Sequence, residues 1–227
     1  MIEVIVIGEG QTEETFVREV LVWELAAKDI ALHARLIRTS KYASGGALNW
    51  DRVSRFLRNT LRERDDTYVT TFFDLYGLGS DFPGFAECQH VADSGQRALA
   101  LEATFGEAVV RLAGCREDRF LPHIQPYEFE ALLFSDLEVF AEVEAGWQAF
   151  LEPLRKARDE AASPEHINEG AETHPSARLI ATLRPRYQKV LHGSALTARI
   201  GINRIRQECR HFDGWLSKIE RLAPLTQ

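Results

Sequence analysis

Three acidic residues stand where chemistry is easiest to build: Glu9, Asp74 and Glu128 each follow a stretch with the character of a β-strand. The first is the clearest. Ile2 to Ile7 is a short β-branched run, Gly8-Glu9-Gly10 breaks it, and an amphipathic pattern starts near Thr12, which together predict a buried strand, a tight turn and a helix. A phosphate-cradling loop would place glycines and a lysine here, because the N–H groups at a helix start attract anions. This turn instead carries Glu9 and, four residues on, Glu13. Carboxylates at the end of a strand and in the first turn of the next helix can converge on a hard divalent cation, which prefers oxygen ligands. Thr12 as a helix cap, with Glu13 and Glu14 at the positive end of the dipole, accounts for those residues structurally but leaves Glu9 without a role.

The elements that must position these acids alternate along the chain. A helix is predicted over Thr12 to Lys28, a second strand over Ala31 to Thr39, and a Gly-rich loop over Lys41 to Gly46, whose lysine could approach a phosphate. Trp50, Val53, Phe56, Leu57 and Leu61 recur at helical spacing, so Ala47 to Arg64 reads as a helix with one buried stripe. Thr67 to Phe73 is a strand by β-propensity and ends at Asp74. Gln89 to Phe105 and Ala108 to Leu112 read as helical, Arg119 to Pro126 as a fourth strand, and Tyr127 to Phe134 as the start of a helix. Such alternation implies a mostly parallel four-stranded sheet with helices on both faces, and ligands of such sheets bind beyond the carboxyl ends of the strands. Glu9, Asp74 and Glu128 share that position.

From Ser135 onward the pattern is helical: Leu137 to Glu144, Gly146 to Ala162, Ser176 to Leu183 and Asn203 to Leu222, with a loop from Ser163 to Pro175. The chain therefore divides into an α/β part, residues 1–135, and a helical extension, residues 136–227, packed on it. Between Pro175 and Leu222 there are ten Lys/Arg against three Asp/Glu, in a chain whose net charge is −7. An acidic body with a basic tail suits a metal site beside a phosphate-contacting surface, or two solvated faces that neutralise each other. Arg206 and Arg210, four apart, would track phosphates along one helix face, with Arg199 beside them. Phe212 and Trp215 read as core anchors. On a helix Lys189 and His192 would share a face, the lysine holding a scissile phosphate and the histidine shuttling a proton. Before Gly193, His192 also reads as the end of a helix. His123, inside an apolar strand, reads as a core histidine, while His90, His166, His174 and His211 are scattered singly.

Composition excludes other classes. Of 227 residues 45% are hydrophobic and 27% charged, ordinary for a globular protein, and no apolar run approaches the roughly 18 residues that span a bilayer. Three separated cysteines make neither a disulfide framework nor a zinc knuckle. With no signal-peptide pattern, a cytoplasmic protein is expected. No G-x-x-x-x-G-K-[ST] occurs, so the chain has no nucleotide-binding loop of that type.

G-E-G-Q-T-E-E, F-D-L-Y-G-L-x-x-D-F-P-G, I-Q-P-Y-E-F-E-A-L-L-F-S-D and Lys189-Val-Leu-His-Gly193 resemble the bacterial DUF4276 family over nearly the whole chain. That family is grouped with the Toprim-like folds, and in the related OLD-type nucleases an E-G-x-x-E sequence after the first strand supplies metal ligands. Glu9-Gly10-Gln11-Thr12-Glu13 matches it position by position. Toprim domains usually carry an Asp-x-Asp pair after a later strand; here Asp74-Leu75-Tyr76 lacks the second acid, which Asp81, or Glu128 and Glu130, would have to replace. The resemblance implies a Toprim-like sheet and an Mg²⁺ or Mn²⁺ site with Glu9 and Asp74 as primary ligands and Glu13 and Asp81 in support. Glu128 would be a ligand or general base, and only one of Glu128 and Glu130 would enter the site unless the helix starts between them, since residues two apart do not share a helix face. The implied activity is metal-dependent phosphodiester hydrolysis of DNA or RNA, with a separate AAA/ABC-type ATPase as partner, as in anti-phage defence. A non-catalytic interaction or sensor module docking on such an ATPase is the alternative, and primase-type nucleotidyl transfer a third. An apolar stripe left exposed on the later helices would make a homodimer.

Overall fold

The computed structural model describes residues 1–37, 48–168 and 173–225. The expected Lys41–Gly46 loop, and with it Lys41, lies outside the described residues.

Strand β1 (Ile2–Gly8) is central. It pairs in parallel with β2 (Ile30–Leu36), Ile2 opposite Ile30 through Gly8 opposite Leu36. On its other side it pairs in parallel with β3 (Tyr68–Asp74), Val4 opposite Tyr68 through Gly8 opposite Phe72. Along its outer side β3 meets β4 (Phe120–Leu121) and then β5 (Ile124–Gln125), both parallel to it. The order is β2-β1-β3-β4, with β5 continuing beside β3. The fourth strand is thus broken in two at Pro122, which has no N–H to donate to a ladder. Across the break the Thr71 hydroxyl takes over, accepting from the His123 N–H at 2.9 Å. Because all pairings are parallel, the carboxyl ends of β1, β3 and β5 open on the same edge, as the alternation of elements predicts.

Side chains alternate between the two faces. Val4, Val6, Tyr68 and Phe72 belong to one buried cluster, and Ile5, Ile7, Val69 and Phe73 to the other. Helices cover both. The predicted N-terminal helix is α1 (Gln11–Phe16), a π-helical turn (Val17–Leu21) and α2 (Val22–Ala26) in succession. Helix α3 (Trp50–Glu63) starts where the Asn49 side chain accepts from Arg52 N. A short α4 (Phe85–Cys88) follows, then α5 (Ser94–Ala113), capped by Asp93 and closed by Gly114 in the left-handed region at φ 67°. The sequence suggested two helical pieces here. They are one because Gly106, at the expected break, lies inside the helix against Pro122: a Cβ there would come within 3.1 Å of that ring.

The C-terminal half departs more from its periodicity. Residues Phe129–Ser135 form a 3₁₀ helix rather than the start of an α-helix. Helix α6 (Phe140–Val143) is shorter than expected, and the next predicted helix divides into a 3₁₀ turn (Ala145–Phe150) and α7 (Glu152–Asp159). Then come α8 (Pro175–Thr182) and α9 (Lys189–Ile200). The last predicted helix is two, α10 (Ile202–Glu208) and α11 (Arg210–Glu220). It breaks at the buried Cys209 because the Glu165 carboxylate accepts the N–H groups of His211 and Phe212 at 2.9 and 3.0 Å, satisfying donors that a new helix start leaves free. Leu196, Ile205, Phe212 and Trp215 share a core with Phe16 and Phe72, so the C-terminal helices are packed on the sheet. Burying a phenylalanine such as Phe212 contributes about 1.5–3 kcal/mol. No helix among the described residues is long and apolar enough to cross a membrane.

Candidate functional site

The turn after β1 places Glu9 beyond the strand's carboxyl end, with its side chain against Gly77 just past β3. A Cβ on Gly77 would come 2.0 Å from Glu9 Oε2, so only glycine leaves room for the carboxylate. Glu13, in the first turn of α1, is buried and its Oε2 accepts from Gly10 N at 2.8 Å. Asp74 ends β3, and its Oδ1 accepts from Phe129 N at 2.8 Å, tying this strand end to the start of the 3₁₀ helix. Just before that start Tyr127 takes φ 61°, a left-handed conformation rare for a bulky residue. The turn it makes re-aims Glu128.

Glu128 and Glu130 both enter the site. The helix starts at Phe129, between them, so Glu128 is still extended and the helical rule for residues two apart does not apply. Lys189, from the first turn of α9, sits 3.2 Å from Glu130 Oε2 and 3.7 Å from Glu128 Oε1. Glu128 is further held by Ser176, whose N–H donates to Oε2 at 3.0 Å and whose hydroxyl donates to Oε1 at 3.1 Å. His174 Nδ1 lies 2.9 Å from the same Oε2. Helix α9 reaches this close because Gly193 offers no side chain: a Cβ would meet Phe129 and Thr12 at 3.1 Å.

The result is five carboxylates around one lysine. Burial, and then the charge of Glu13, pushes Glu9 up to about 7. Burial also brings Glu130 to about 7, against the opposing pull of Lys189. Asp74 is raised well above the usual range by burial and by the charges of Glu13, Glu130, Glu9 and Glu128. Glu13 is raised by burial in spite of its N–H partner. For Glu128 burial is outweighed by Lys189, the Ser176 N–H and His174, which hold it below its ordinary value. Lys189 is in turn raised, because Glu130, Glu128 and Asp74 outweigh its own burial. Glu9 Oε2 is buried with no hydrogen-bond partner among the described residues, while the Tyr187 hydroxyl and the Glu130 carboxylate, also buried, act on each other. The carboxylates surround Lys189 without closing on a point. A group of three ligand atoms all within 4.8 Å of one another occurs, among the described residues, at Glu102, His123 and His211.

Of the residues singled out from sequence, Glu9, Glu13, Asp74, Glu128, Glu130 and Lys189 come together. Asp81 does not: it is exposed, and its Oδ2 accepts from Asn49 Nδ2 and Trp50 N, both at 2.9 Å, at the start of α3. His192 lies in the first turn of α9, not at a helix C-terminus, and its ring packs edge-on against Trp147, 4.7 Å between centroids. It lies on α9 three residues after Lys189, as expected, but its Nδ1 is engaged, accepting from Gln188 N at 3.0 Å. Arg199 pairs with Glu142. Arg206 is enclosed by Asp213, Glu220 and Ser217. Arg206 and Arg210 stand on different helices, so the expected phosphate-tracking face does not form. Sequence reasoning missed Ser176, His174 and Tyr187. The His-Pro-Ser start of α8 was the available signal, since His174 stands at the N-cap position of that helix.

The model of one family, the domain of unknown function DUF4276, matches residues 8–220. The chain belongs to the DUF4276 family. No curated protein and no solved structure matches it. Within this DUF4276 chain the matched span runs from the last residue of β1 to the last of α11, and so takes in every acid of the cluster.

An all-oxygen donor set with an orphaned carboxylate oxygen, Glu9 Oε2, is suited to a hard divalent cation, since Mg²⁺ is usually held by one or two carboxylates and keeps water and phosphate in its remaining positions. Clustered acids lose their mutual repulsion when such a cation is present.

Proposed function

We propose that this DUF4276 protein is a metal-dependent phosphodiesterase, a nuclease acting on DNA or RNA, with Mg²⁺ or Mn²⁺ held by Glu9, Asp74 and Glu13. The observation that carries the reading is the buried Glu9 Oε2, without a hydrogen-bond partner among the described residues, within a cluster of five acids. The E-G-x-x-E match of Glu9 to Glu13 agrees with it and is the basis for a Toprim-like, OLD-related assignment. Glu128 and Glu130 supply the acidity that Tyr76 lacks at the second position of the Asp-x-Asp pattern. A bound cation would polarise a phosphoryl oxygen and lower the pKa of a coordinated water. Lys189, beside the cluster and about two-fifths exposed, is placed to hold a phosphate as a point charge. Glu128, a ligand or general base in this reading, is held in place by Lys189, Ser176 and His174.

A second reading, a non-catalytic module docking on a separate ATPase, is favoured by the same Tyr76, which is exposed where a ligand acid would stand. Thermal unfolding with and without Mg²⁺ or Mn²⁺, followed by cleavage assays on labelled DNA and RNA, separates the two. Saturation at a hundredfold excess over Kd stabilises by about 2.7 kcal/mol. A metal-dependent rise and metal-dependent cleavage, both lost in Glu9→Ala and Asp74→Ala, are expected. Metal binding without cleavage, alone or with a partner ATPase, would leave the module reading.

A further inference from the structure

A second cluster of ligating side chains sits away from the acids. Glu102 comes from α5, His123 from the break between β4 and β5, and His211 from the first turn of α11. Glu102 and His123 are almost wholly buried and the His211 side chain is only 7% exposed. His211 Nε2 lies 2.8 Å and His123 Nδ1 3.4 Å from one oxygen, Glu102 Oε1, which also accepts from Ile124 N at 2.9 Å.

A neutral imidazole has one N–H to give. A neutral His123 ring therefore has one proton to place between Nδ1, which faces Glu102, and its far end. Its other nitrogen, Nε2, is buried with no partner at ordinary hydrogen-bond distance among the described residues, and so is Gln125 Oε1, on the side chain that faces that end of the ring. With its proton on Nδ1, His123 presents a bare nitrogen to a bare oxygen at the Gln125 end. With its proton on Nε2, Gln125 is satisfied and the Nδ1 lone pair faces the lone pairs of Glu102. One proton cannot serve both ends. A cation between Nδ1, Nε2 of His211 and the Glu102 carboxylate does, and it leaves the second N–H of a ligating histidine donating to a carbonyl, the usual arrangement in metal sites.

The surroundings hold the ligands in place. Trp215 stacks on His123 at 4.6 Å between centroids, with its own N–H donating to Thr70 Oγ1 at 2.8 Å. Gln125 Nε2 donates to Glu165 at 3.3 Å, and Glu165 accepts the first N–H groups of α11, fixing the turn that carries His211. Bonds of about 2.1 Å in a tetrahedron set ligand atoms about 3.4 Å apart. His123 and Glu102 already have that separation, and a small rotation of the His211 ring opens its 2.8 Å contact. Two imidazole nitrogens and one carboxylate select zinc and its neighbours over Mg²⁺. The cluster lines a cavity of about 590 Å³ that also has Arg210, Lys218 and His166 in its wall.

We propose that Glu102, His123 and His211 form a binding site for a divalent transition-metal ion of the zinc class, with an open coordination position facing this cavity. It shares no residue with the acid cluster and does not rest on the nuclease reading.

Co²⁺ titration of the chelator-stripped full chain tests it, because low-coordinate Co²⁺ on nitrogen ligands absorbs strongly in the visible while six-coordinate Co²⁺ on oxygen ligands hardly does. The expected result is a visible band saturating at one equivalent, displaced by Zn²⁺, absent in Glu102→Gln and His211→Ala, and unchanged in Glu9→Gln. Absence of the band in the wild type, or its persistence in folded His211→Ala, overturns the proposal. Should the variants fail to fold, histidine side-chain NMR of the wild type decides: Zn²⁺ must shift one imidazole through Nδ1 and another through Nε2, and any other pattern overturns it.

Discussion

Lys189 on α9 and Glu130 in the 3₁₀ helix, fifty-nine residues apart in sequence, meet at 3.2 Å in the midst of four further carboxylates. This contact closes the C-terminal helices onto the strand ends and partly neutralises acids that would otherwise repel one another. Lys189→Met should therefore destabilise the metal-free protein at neutral pH. The loss should be about 1–2 kcal/mol, less than for breaking a wholly buried pair, because Lys189 is 41% exposed. Mg²⁺ should restore more stability to the variant than to the wild type. Urea unfolding in chelator and in Mg²⁺ measures both, and an equal loss in each would disprove the neutralising role.

The raised carboxylates give a pH signature. Glu9 and Glu130 stand at about 7 in the folded state against an ordinary 4.5. Between those values the folded chain binds more protons than the unfolded one. Their contribution to stability is therefore complete below about pH 4.5 and lost as pH rises through about 7. Glu9→Gln carries a permanent neutral mimic of the protonated acid. In chelator its unfolding midpoint should gain on that of the wild type as pH rises from about 5 to about 8. Parallel midpoints across that range would show that Glu9 does not carry a raised pKa.

Gly77 is a packing partner of Glu9, not a free turn residue. Gly77→Ala would put a methyl 2.0 Å from Glu9 Oε2 and must push the carboxylate aside. The expected outcome is a fold retained by circular dichroism with the metal-dependent thermal shift reduced toward that of Glu9→Ala. A full metal response in Gly77→Ala would mean that Glu9 binds from another position.

The enclosed Arg206 behaves as structure. Its guanidinium spans Asp213 and Glu220 between α10 and α11, so Arg206→Ala should cost about 1 kcal/mol, since Asp213 is partly exposed and Glu220 keeps Lys28. The salt dependence of any nucleic-acid binding should be unchanged, since no phosphate contact is removed. Binding measured at several salt concentrations checks this, and a shallower slope in the variant would return Arg206 to the nucleic-acid surface.

The sheet and the first half of the acid site were legible in the sequence because both depend on local signals. Runs such as Ile2 to Ile7 and Thr67 to Phe73 announce strands, and parallel pairing puts their last residues on one edge, so Glu9 and Asp74 could be placed together without a contact being known. Glu128 followed from the same logic. Trp215 and Phe212 read as core anchors, and both are buried.

Tertiary structure decided the rest. Whether Glu130 joins Glu128 depended on where a 3₁₀ helix begins, a matter of one residue that the Tyr127 turn and the Asp74 bond to Phe129 N settle. Whether Arg206 and Arg210 share a face depended on a helix break at Cys209, enforced by the Glu165 carboxylate forty-six residues before His211. The Glu102, His123 and His211 group had no sequence signature, since its members come from three elements and Glu102 and His211 are 109 residues apart. Periodicity reports which face of an element is apolar. It does not report which polar side chains distant elements will bring to one oxygen atom, because that is fixed only when the helices pack on the sheet.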